Sequence, residues 1–365
     1  MSPISFIAGI FATIAAATAL PVPQPGEIRT FKDWAAGCDN AGNCEAVSLI
    51  SDEDGAGFDD WGGPISIVRT AGSDDIFQIR VQFEPKDMDR YRMTIDEKLV
   101  DTGPIVQGDY PIEIVGEDAK KVAKAIINGN QLVVWGPAGE NITRASLAGS
   151  SAALRYIDQK QERAGTSSAL VAQGSRTFKP ANTDVPTIIV DQWEAAKLIP
   201  EAGALVALAE DSKCKDDRYG LVEDQAYPLG KRGNIFRALV LISCGSGAYN
   251  FSSAPYIGEY VENGRATSGW TFTPAQFDRQ PGWGGEGSQP LLVNASWDDQ
   301  DQTLSSYGKG RGLGDCGSAE NYIWDGEAFR MIESSAMDEC RGAYEWITIW
   351  RAQYRKREQT AAPAK

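Results

Sequence analysis

The cysteine and histidine content constrains this chain most, because it contains six cysteines and no histidine. A structural zinc site needs four ligands, usually histidines or cysteines about two to four residues apart, whereas the shortest spacing here is C-x5-C. The C-x-x-C motif of thioredoxin-like proteins is absent as well. Without histidine, neither a Ser-His-Asp triad nor a Cys-His pair can form. The sequence therefore favours structural disulfides, with the cysteines at Cys38, Cys44, Cys214, Cys244, Cys316 and Cys340.

Six cysteines can pair in many ways, and the sequence does not choose among them formally. Pairing between sequence neighbours is the most economical arrangement, and it joins Cys38 to Cys44, Cys214 to Cys244, and Cys316 to Cys340. The first bond would close the tight turn DNAGN. The other two would close loops of roughly 25 to 30 residues, each worth about 3 kcal/mol in the chain-entropy description. Because disulfides persist in oxidising compartments, we expect an exported protein.

The first residues, MSPISFIAGIFATIAAATALPVPQPGEI, also indicate export. Residues 4–20 form an uncharged apolar run, and Ala17-Thr18-Ala19 offers a small-x-small cleavage site. The run is shorter than the about 20 residues that a membrane helix needs, and prolines follow it. We expect a signal peptide over residues 1–19, cleaved after Ala19. The mature protein is then periplasmic or secreted and has no transmembrane segment.

The charge balance limits the choice of partners. The formal net charge is −15, with 50 acidic and 35 basic residues, so the chain cannot neutralise a run of phosphates and is not expected to bind nucleic acid. An acidic surface favours solubility, and it can also attract a cationic partner through its field.

Alternating and turn-bounded apolar stretches predict a mainly β (α+β) fold, with two antiparallel β-rich domains joined by a helical segment and held by three disulfides. At 365 residues the chain has the length of about two domains. The expected organisation is a signal peptide over 1–19, an N-terminal β-rich domain over 27–140, a helical segment over 141–174, a linker over 175–186, a C-terminal β-rich domain over 187–352 and a solvated basic tail over 353–365.

Several elements are predicted individually. GEDAKKVAKAIINGNQLVVW should give a helix over 118–127, which Gly129 ends, and a strand over 131–135. WDGEAF should be a hairpin turn, with Asp325-Gly326 supplying the positive φ angles that a primed turn requires. The other predicted strands cover 65–70, 76–85, 91–100, 236–244, 291–299, 302–310, 320–335 and 344–350.

GLGDCG, residues 312–317, fits the pattern G-x-G-x-x-G. Dinucleotide binding would require a preceding strand, a long following helix and an acidic residue about 20 positions on. Hairpins surround the motif instead, so its glycines are predicted to form tight turns beside a disulfide. Arg311 and Asp315 could form a surface ion pair or hold a ligand.

Acidic turns and tryptophans provide the remaining candidates. SDEDGAGFDD (51–60) and DDQDQ (298–302) could hold calcium, but they match only a fragment of a calcium loop and are predicted to be solvated turns. Trp283 and Trp297 lie near glycine-rich or polar turns, where an exposed ring could stack on a sugar or anchor a partner. Burial of these rings against the sheets is the commoner outcome. Paired carboxylates could serve a glycosidase, although 50 acidic residues single out no pair.

Several stretches in order along the chain resemble a family of exported proteobacterial proteins known as domain of unknown function eleven seventy-six. They are FKDWAAGCDNAGNCEA, SLAGSSAALRYIDQKQERAGTSSALVAQG, CGSGAYN, GKGRGLGDCG, YIWDGEAF and CRGAYEWITIW. The resemblance implies an exported, periplasmic protein and brings no established activity or catalytic residue.

The first half also resembles, more faintly, the invasion-associated locus B proteins. Trp34, Cys38, Cys44 and the segment Ser146-Leu147-Ala148-Gly149 match that pattern. Ser150 stands where that family has an aromatic residue, and a later cysteine pair is missing. The similarity implies a β-rich module that acts at or beyond the cell envelope.

Together these observations predict a non-enzymatic exported protein, without a cofactor, that binds a protein or glycan of the cell envelope or an external partner that is cationic. One alternative is an envelope carbohydrate binder or hydrolase that uses paired carboxylates and exposed tryptophans. A cleft with two carboxylates about 5 to 10 Å apart beside an aromatic platform would favour it. The other alternative is a calcium-stabilised structural protein.

Overall fold

The computed structural model describes residues 22–51, 62–72, 75–84, 91–102, 110–218, 222–263, 266–267, 269–282 and 289–357. The predicted signal peptide and Trp283 lie outside these ranges, as do most of the 51–60 acidic stretch and residues 358–365 of the tail. Three disulfides join the sequence neighbours, as predicted: Cys38 to Cys44, Cys214 to Cys244, and Cys316 to Cys340. The mainly β (α+β) fold with antiparallel sheets is confirmed.

The described residues of the N-terminal half form two antiparallel sheets and two helices. The first sheet has the strand order β1-β2-β3-β4-β5-β8, and the second has the order β10-β9-β6-β7. The elements are β1 Arg29–Phe31, β2 Trp34–Cys38, β3 Cys44–Ser48, β4 Ile65–Arg69, β5 Phe77–Val81, β6 Arg92–Ile95, β7 Lys98–Leu99, β8 Ile112–Val115, α1 Gly116–Asn128, β9 Gln131–Trp135, β10 Asn141–Ser146 and α2 Ser150–Lys160.

The core of this half is formed by one face of the first sheet, the two helices and inward-facing residues of the second sheet. Phe77, Ile79 and Val81 alternate inward along β5, as a half-buried strand requires. Four residues at helical spacing on α1 meet them, namely Ala119, Val122, Ala123 and Ile126. The opposite face of the first sheet turns toward the C-terminal half.

The C-terminal half contains two further antiparallel sheets. One has the order β12-β13-β14, with β15, β16 and β17 also pairing β14, and the other has the order β18-β19-β20-β21-β22. The elements are β11 Thr187–Val190, α3 Ala202–Asp211, a 3-10 helix Lys215–Asp217, β12 Gln225–Arg232, β13 Ile235–Ser246, β14 Phe251–Asn263, β15 Ala266–Thr267, β16 Thr271–Pro274, β17 Leu292–Val293, β18 Ser296–Asp298, β19 Thr303–Lys309, β20 Gly317–Trp324, β21 Phe329–Met337, β22 Ile347–Arg351 and β23 Gln353–Lys356. Aromatic side chains dominate the core between these sheets, including Tyr322, Trp324, Phe329 and Trp350.

The predicted helical segment over 141–174 was wrong at both ends. Residues 141–146 form β10, whose backbone pairs with β9, and β-branched Ile142 and Thr143 suit that strand. The helix α2 covers only Ser150–Lys160, because the chain then turns back so that the buried Asp158 carboxylate accepts hydrogen bonds from the backbone amides of residues 170–172.

The predicted solvated tail over 353–365 was wrong at its start. Gln353–Lys356 is the strand β23, which pairs in parallel with β11. Arg357 extends the contact, since its guanidinium donates to Asp191. In the WDGEAF hairpin between β20 and β21, only Gly326 of the expected pair has a positive φ, +104°. Asp325 instead accepts the backbone N–H groups of Glu327 and Ala328 through its side chain.

The two halves share an apolar contact. Ala35, Val47 and Leu49 of the first sheet pack against Met337 and Ile347 of the five-stranded sheet and neighbouring residues. None of the helices within the described ranges is both long and apolar enough to span a bilayer.

Candidate functional site

A cleft of about 790 Å³ lies where the two halves meet. Its floor is the outer face of the five-stranded sheet. One wall comes from the N-terminal half and the other from the segment before β11 and the start of β23. The lining is formed by Ala41, Asn43, Thr70, Ala71, Ile76, Thr183, Val185, Asp301, Thr303, Asn321, Ile332, Glu333, Arg351, Ala352, Gln353 and Tyr354.

A β-bulge shapes the floor of the cleft. Asn321 pairs with Glu333 across the β20–β21 ladder, and the next residue, Tyr322, pairs with Met331, so Ile332 has no partner on β20. The extra residue shifts the alternation of β21 and brings Ile332 and Glu333 to the cleft together. Bulges reorient side chains in this way beside binding sites.

Arg351 fixes the floor to the N-terminal wall. Its guanidinium contacts Asp39 at 3.0 Å and Glu333 at 3.2 Å. Its backbone N–H donates to the Asn40 side-chain oxygen at 2.7 Å, and its carbonyl accepts from the Asn40 amide at 2.9 Å. Asp39 and Asn40 belong to the turn that the Cys38–Cys44 disulfide closes. That disulfide therefore supports a contact between the two halves. We call the pair of hydrogen bonds between the Asn40 side chain and the Arg351 backbone the Asn40 latch.

A second groove, of about 480 Å³, adjoins the cleft at Asp301 and Tyr354, which line both. We call it the side groove. Tyr354 is 39% exposed and stands at this junction. Four charged residues line the groove, two acidic and two basic: Asp299, Asp301, Lys197 and Lys356. Polar and aromatic side chains complete it, including Gln192, Gln300, Gln302 and Trp193.

The turn that carries the acidic residues of the side groove is locally fixed. The Asp298 carboxylate accepts hydrogen bonds from the backbone N–H groups of Gln300 and Asp301. Gln302 has a φ of +55°, in the left-handed region that non-glycine residues rarely adopt. This conformation costs free energy that the surrounding hydrogen bonds must offset.

Arg311 and Asp315 form an ion pair in the structure, and this pair stabilises a loop. Their side chains form two hydrogen bonds of 2.7 and 2.6 Å, and Asp315 also accepts the backbone N–H of Gly342 at 2.6 Å. Burial alone would raise the pKa of Asp315, but the Arg311 and Gly342 donors hold it below its usual value. Asp315 is fully buried, so it fixes the loop beside the Cys316–Cys340 disulfide.

Neither cavity has Trp297 in its lining. Its indole N–H donates to Asp299 at 2.6 Å, and its ring packs on Phe329 at the edge of the aromatic core. Through Asp299 it supports the wall of the side groove. No group of three or more acidic or cysteine side chains in the described ranges is arranged to hold a metal ion.

Sequence reasoning missed a buried ionic cluster behind α2. Asp158 and Arg69 are fully buried and form an ion pair at 3.2 Å. Asp158 also accepts backbone N–H groups from Leu170 at 2.9 Å and Val171 at 2.8 Å. The signal in the sequence was Asp158 itself. It directly follows the inward-facing Ile157, so its carboxylate lies on the buried side of the helix and needs a partner there. The stretch YIDQKQERAGTSSALVAQG thus encodes a loop that folds around the buried Asp158 carboxylate.

A second polar cluster lies on the face of the first sheet that turns toward the C-terminal half. Glu45 accepts a hydrogen bond from Ser66, and burial raises the pKa of Glu45 to about 7. Burial likewise raises the pKa of Glu345, which the Tyr110 hydroxyl partly offsets. Arg80 lies over the Tyr110 ring at 4.9 Å. These groups are buried close enough to interact electrostatically, but they do not line the cleft.

Comparison with known proteins gives a family and no activity. The profile of a family described as "Protein of unknown function (DUF1176)" matches residues 28–353. The chain is 26% identical over 346 residues to the uncharacterized protein YpfG of Escherichia coli (strain K12), and the alignment covers 88% of this chain and 92% of that protein. No solved structure gives a significant match. Because the profile spans nearly the whole of both halves, the chain belongs to the DUF1176 family of proteins of unknown function.

Proposed function

We propose that this protein is an exported, non-enzymatic binding protein that holds a neutral saccharide of the cell envelope in the cleft. The observation that carries the proposal is the lining of the cleft, which includes amide and hydroxyl side chains and the exposed ring of Tyr354. Thr183, Thr303, Asn321 and Gln353 can exchange hydrogen bonds with sugar hydroxyls, and Tyr354 can pack against the apolar face of a sugar ring.

Two carboxylates, Asp301 and Glu333, line the same cleft as Tyr354. Carboxylates can accept hydrogen bonds from sugar hydroxyls, and an aromatic ring can pack against the face of a sugar. Glu333 is already paired with Arg351 at 3.2 Å, which suits a fixed hydrogen-bonding role better than proton transfer. The same pairing reduces the negative charge of the cleft, so the cleft supports a neutral ligand better than the cationic partner that the net charge suggested.

Export is supported by the cysteines. All six are in disulfides, and such bonds persist outside the reducing cytoplasm. The apolar segment before residue 20 is the proposed signal peptide. Cell fractionation of the full-length protein tests this part, with the expected result that the mature chain is recovered from the periplasm or medium without its first 19 residues.

A matched pair of substitutions tests the cleft. Ile76 is 55% exposed and lines the cleft, whereas Leu99 is 71% exposed on the hairpin β6–β7 away from it. We expect the mature protein to bind a neutral tetrasaccharide of N-acetylglucosamine or cosediment with isolated envelope polysaccharide. Ile76→Trp should abolish the binding by filling the cleft, and Leu99→Trp should leave it unchanged.

The same assay at low and high ionic strength separates the ligand classes. Binding of a neutral saccharide should be insensitive to salt, because no charged pair is screened. Loss of binding at high salt would indicate a charged partner and contradict the proposal. Equal binding by wild type and Ile76→Trp would place the site elsewhere. Shortened oligosaccharide products would indicate a hydrolase instead of a binder.

A further inference from the structure

The side groove has a different chemistry from the cleft, although the two share Asp301 and Tyr354. Most of the side chains that line the cleft are uncharged, and its Glu333 and Arg351 form an ion pair with each other. The side groove carries two carboxylates, Asp299 and Asp301, and two ammonium groups, Lys197 and Lys356. A ligand complementary to both would therefore be mainly uncharged at one end and carry both signs of charge at the other.

The ammonium groups of the side groove are available to a ligand. Within the described ranges, neither the Lys197 nor the Lys356 side chain forms an ion pair or hydrogen bond with another side chain. The Asp301 carboxylate accepts no hydrogen bond from the residues in these ranges. Charged groups just outside the groove are paired instead. Lys231 contacts Glu194 at 3.3 Å, and Asp191 contacts Arg232 at 3.6 Å and also Arg357.

Opposite charges that line one groove without pairing each other are complementary to a zwitterion. An ammonium group can bind a ligand carboxylate, and a carboxylate can bind a ligand amine, each by a charge-assisted hydrogen bond. The Gln192 and Gln300 side chains can bind peptide N–H and C=O groups between the charges. A plain sugar would leave these charged groups partly desolvated without compensation.

We propose that the ligand is an envelope glycan carrying a short peptide substituent, with the sugar in the cleft and the peptide in the side groove. This inference rests on the proposed function, because it assigns the cleft to a saccharide. Tyr354, at the junction, would contact both parts. The fixed turn at Asp298 and the left-handed Gln302 hold Asp299 and Asp301 in position for the amine of the peptide.

Isothermal titration of the full mature protein with three probes tests the inference. The probes are the neutral tetrasaccharide of N-acetylglucosamine, a disaccharide–tetrapeptide released from peptidoglycan, and the free tetrapeptide. We expect the disaccharide–tetrapeptide to bind about tenfold tighter than the tetrasaccharide, as about one additional charge-assisted contact would give. The free tetrapeptide should bind more weakly than the disaccharide–tetrapeptide.

A double substitution then identifies the groove. Lys197→Gln with Lys356→Gln should reduce the affinity for the disaccharide–tetrapeptide to that for the tetrasaccharide, and it should leave the tetrasaccharide affinity unchanged. The matched control replaces two exposed lysines outside both cavities, Lys124→Gln with Lys179→Gln, and should change neither affinity.

The outcomes distinguish the two proposals. Equal affinities for the tetrasaccharide and the disaccharide–tetrapeptide, or no effect of the Lys197 and Lys356 substitutions, would overturn the peptide inference. The proposed function would stand in that case, provided that Ile76→Trp still abolishes tetrasaccharide binding. Binding of the free tetrapeptide as tight as that of the conjugate would overturn the inference as well. Failure of every saccharide probe to bind would overturn both.

Discussion

Glu45 lies on β3 between Cys44 and Ala46, whose side chains enter the core of the N-terminal half, so its own side chain turns to the opposite face of the sheet. There it is half-buried, accepts a hydrogen bond from Ser66 and lies near the carboxylate of Glu345. Burial is the main cause of its raised pKa, and the nearby Glu345 adds to it. This environment therefore disfavours the carboxylate of Glu45 relative to its state in water.

The raised pKa of Glu45 predicts a dependence of stability on pH. Its ordinary value is 4.5 and its value in the folded protein is about 7, so the folded state binds more protons between these pH values than the unfolded state. The free energy of unfolding should therefore fall as pH rises from about 4.5 to 7, with a slope of at most about 1.4 kcal/mol per pH unit from this group. Urea unfolding at a series of pH values measures it.

Glu45→Gln provides the comparison, because glutamine keeps the size of the side chain and removes its titration. The variant should show a shallower fall in stability across the same pH range and should be more stable than wild type at pH 8. The slope that remains belongs in part to Glu345, whose pKa is also raised by burial. Identical slopes for both proteins would mean that Glu45 is solvated in solution.

Among the structural elements, the disulfide-closed turn 39–43 connects local sequence to the shape of the cleft. Asn40 makes two hydrogen bonds to the backbone of Arg351, and Arg351 forms part of the cleft floor. Asn40→Ala should lower the free energy of unfolding by about 1–2 kcal/mol, because two hydrogen bonds are lost at a partly exposed site. It should also weaken saccharide binding, since Arg351 in the floor loses its contact with Asn40 of the N-terminal half.

Chemical denaturation and isothermal titration check both effects. The matched control is Asn182→Ala, which removes an exposed asparagine whose side chain, among the residues that the structure describes, accepts only the local backbone N–H of Asp184. This control should change stability by less than about 0.5 kcal/mol. If Asn182→Ala and Asn40→Ala behave alike, the Asn40 latch contributes nothing beyond its own turn.

The elements also show why part of the fold was predictable. The helix α1 and the strand β9 follow directly from apolar spacing and from the glycine that separates them. The strand β23 could not be predicted in this way, because all four of its side chains are exposed and only its backbone pairs with β11. The bulge at Ile332 was equally hidden, since an extra residue in a ladder depends on the partner strand.

The candidate site was less predictable than the fold. Disulfide pairing followed from sequence separation, whereas the cleft is built by residues as distant as Asn43 and Tyr354. Asp301 lies in the DDQDQ stretch, whose acidic composition suggested calcium binding. Its position in the cleft depends on residues far away in the sequence that form the walls around it. The wall residues are ordinary threonines, asparagines and alanines, so no motif marks them before the two halves are placed together.

At the scale of the whole molecule, the two halves are held by an apolar contact as well as by polar ones. Leu49 is fully buried in the cluster that also contains Met337 and Ile347 of the C-terminal half. The Arg341 side chain adds hydrogen bonds to the Lys32 carbonyl and to Asp33 of the N-terminal half, at 2.7 and 2.6 Å. Because these contacts join the two halves, we expect the cleft to bind its ligand without domain closure.

These contacts predict that the halves unfold together, and that Leu49→Ala uncouples them. The substitution should cost about 2–5 kcal/mol, because it leaves a cavity in the shared cluster. Hydrogen exchange followed by mass spectrometry, at increasing urea, measures the opening of each half. In wild type, peptides from β2–β3 and β19–β21 should lose protection at the same urea concentration. In Leu49→Ala they should lose protection at different urea concentrations.

The control is Leu154→Ala, because Leu154 is buried in the N-terminal core alone. This substitution should lower stability while keeping the two sets of peptides together. If both variants keep the two sets of peptides together, or both separate them, the shared cluster does not couple the halves. The two sides of the cleft could then move relative to each other.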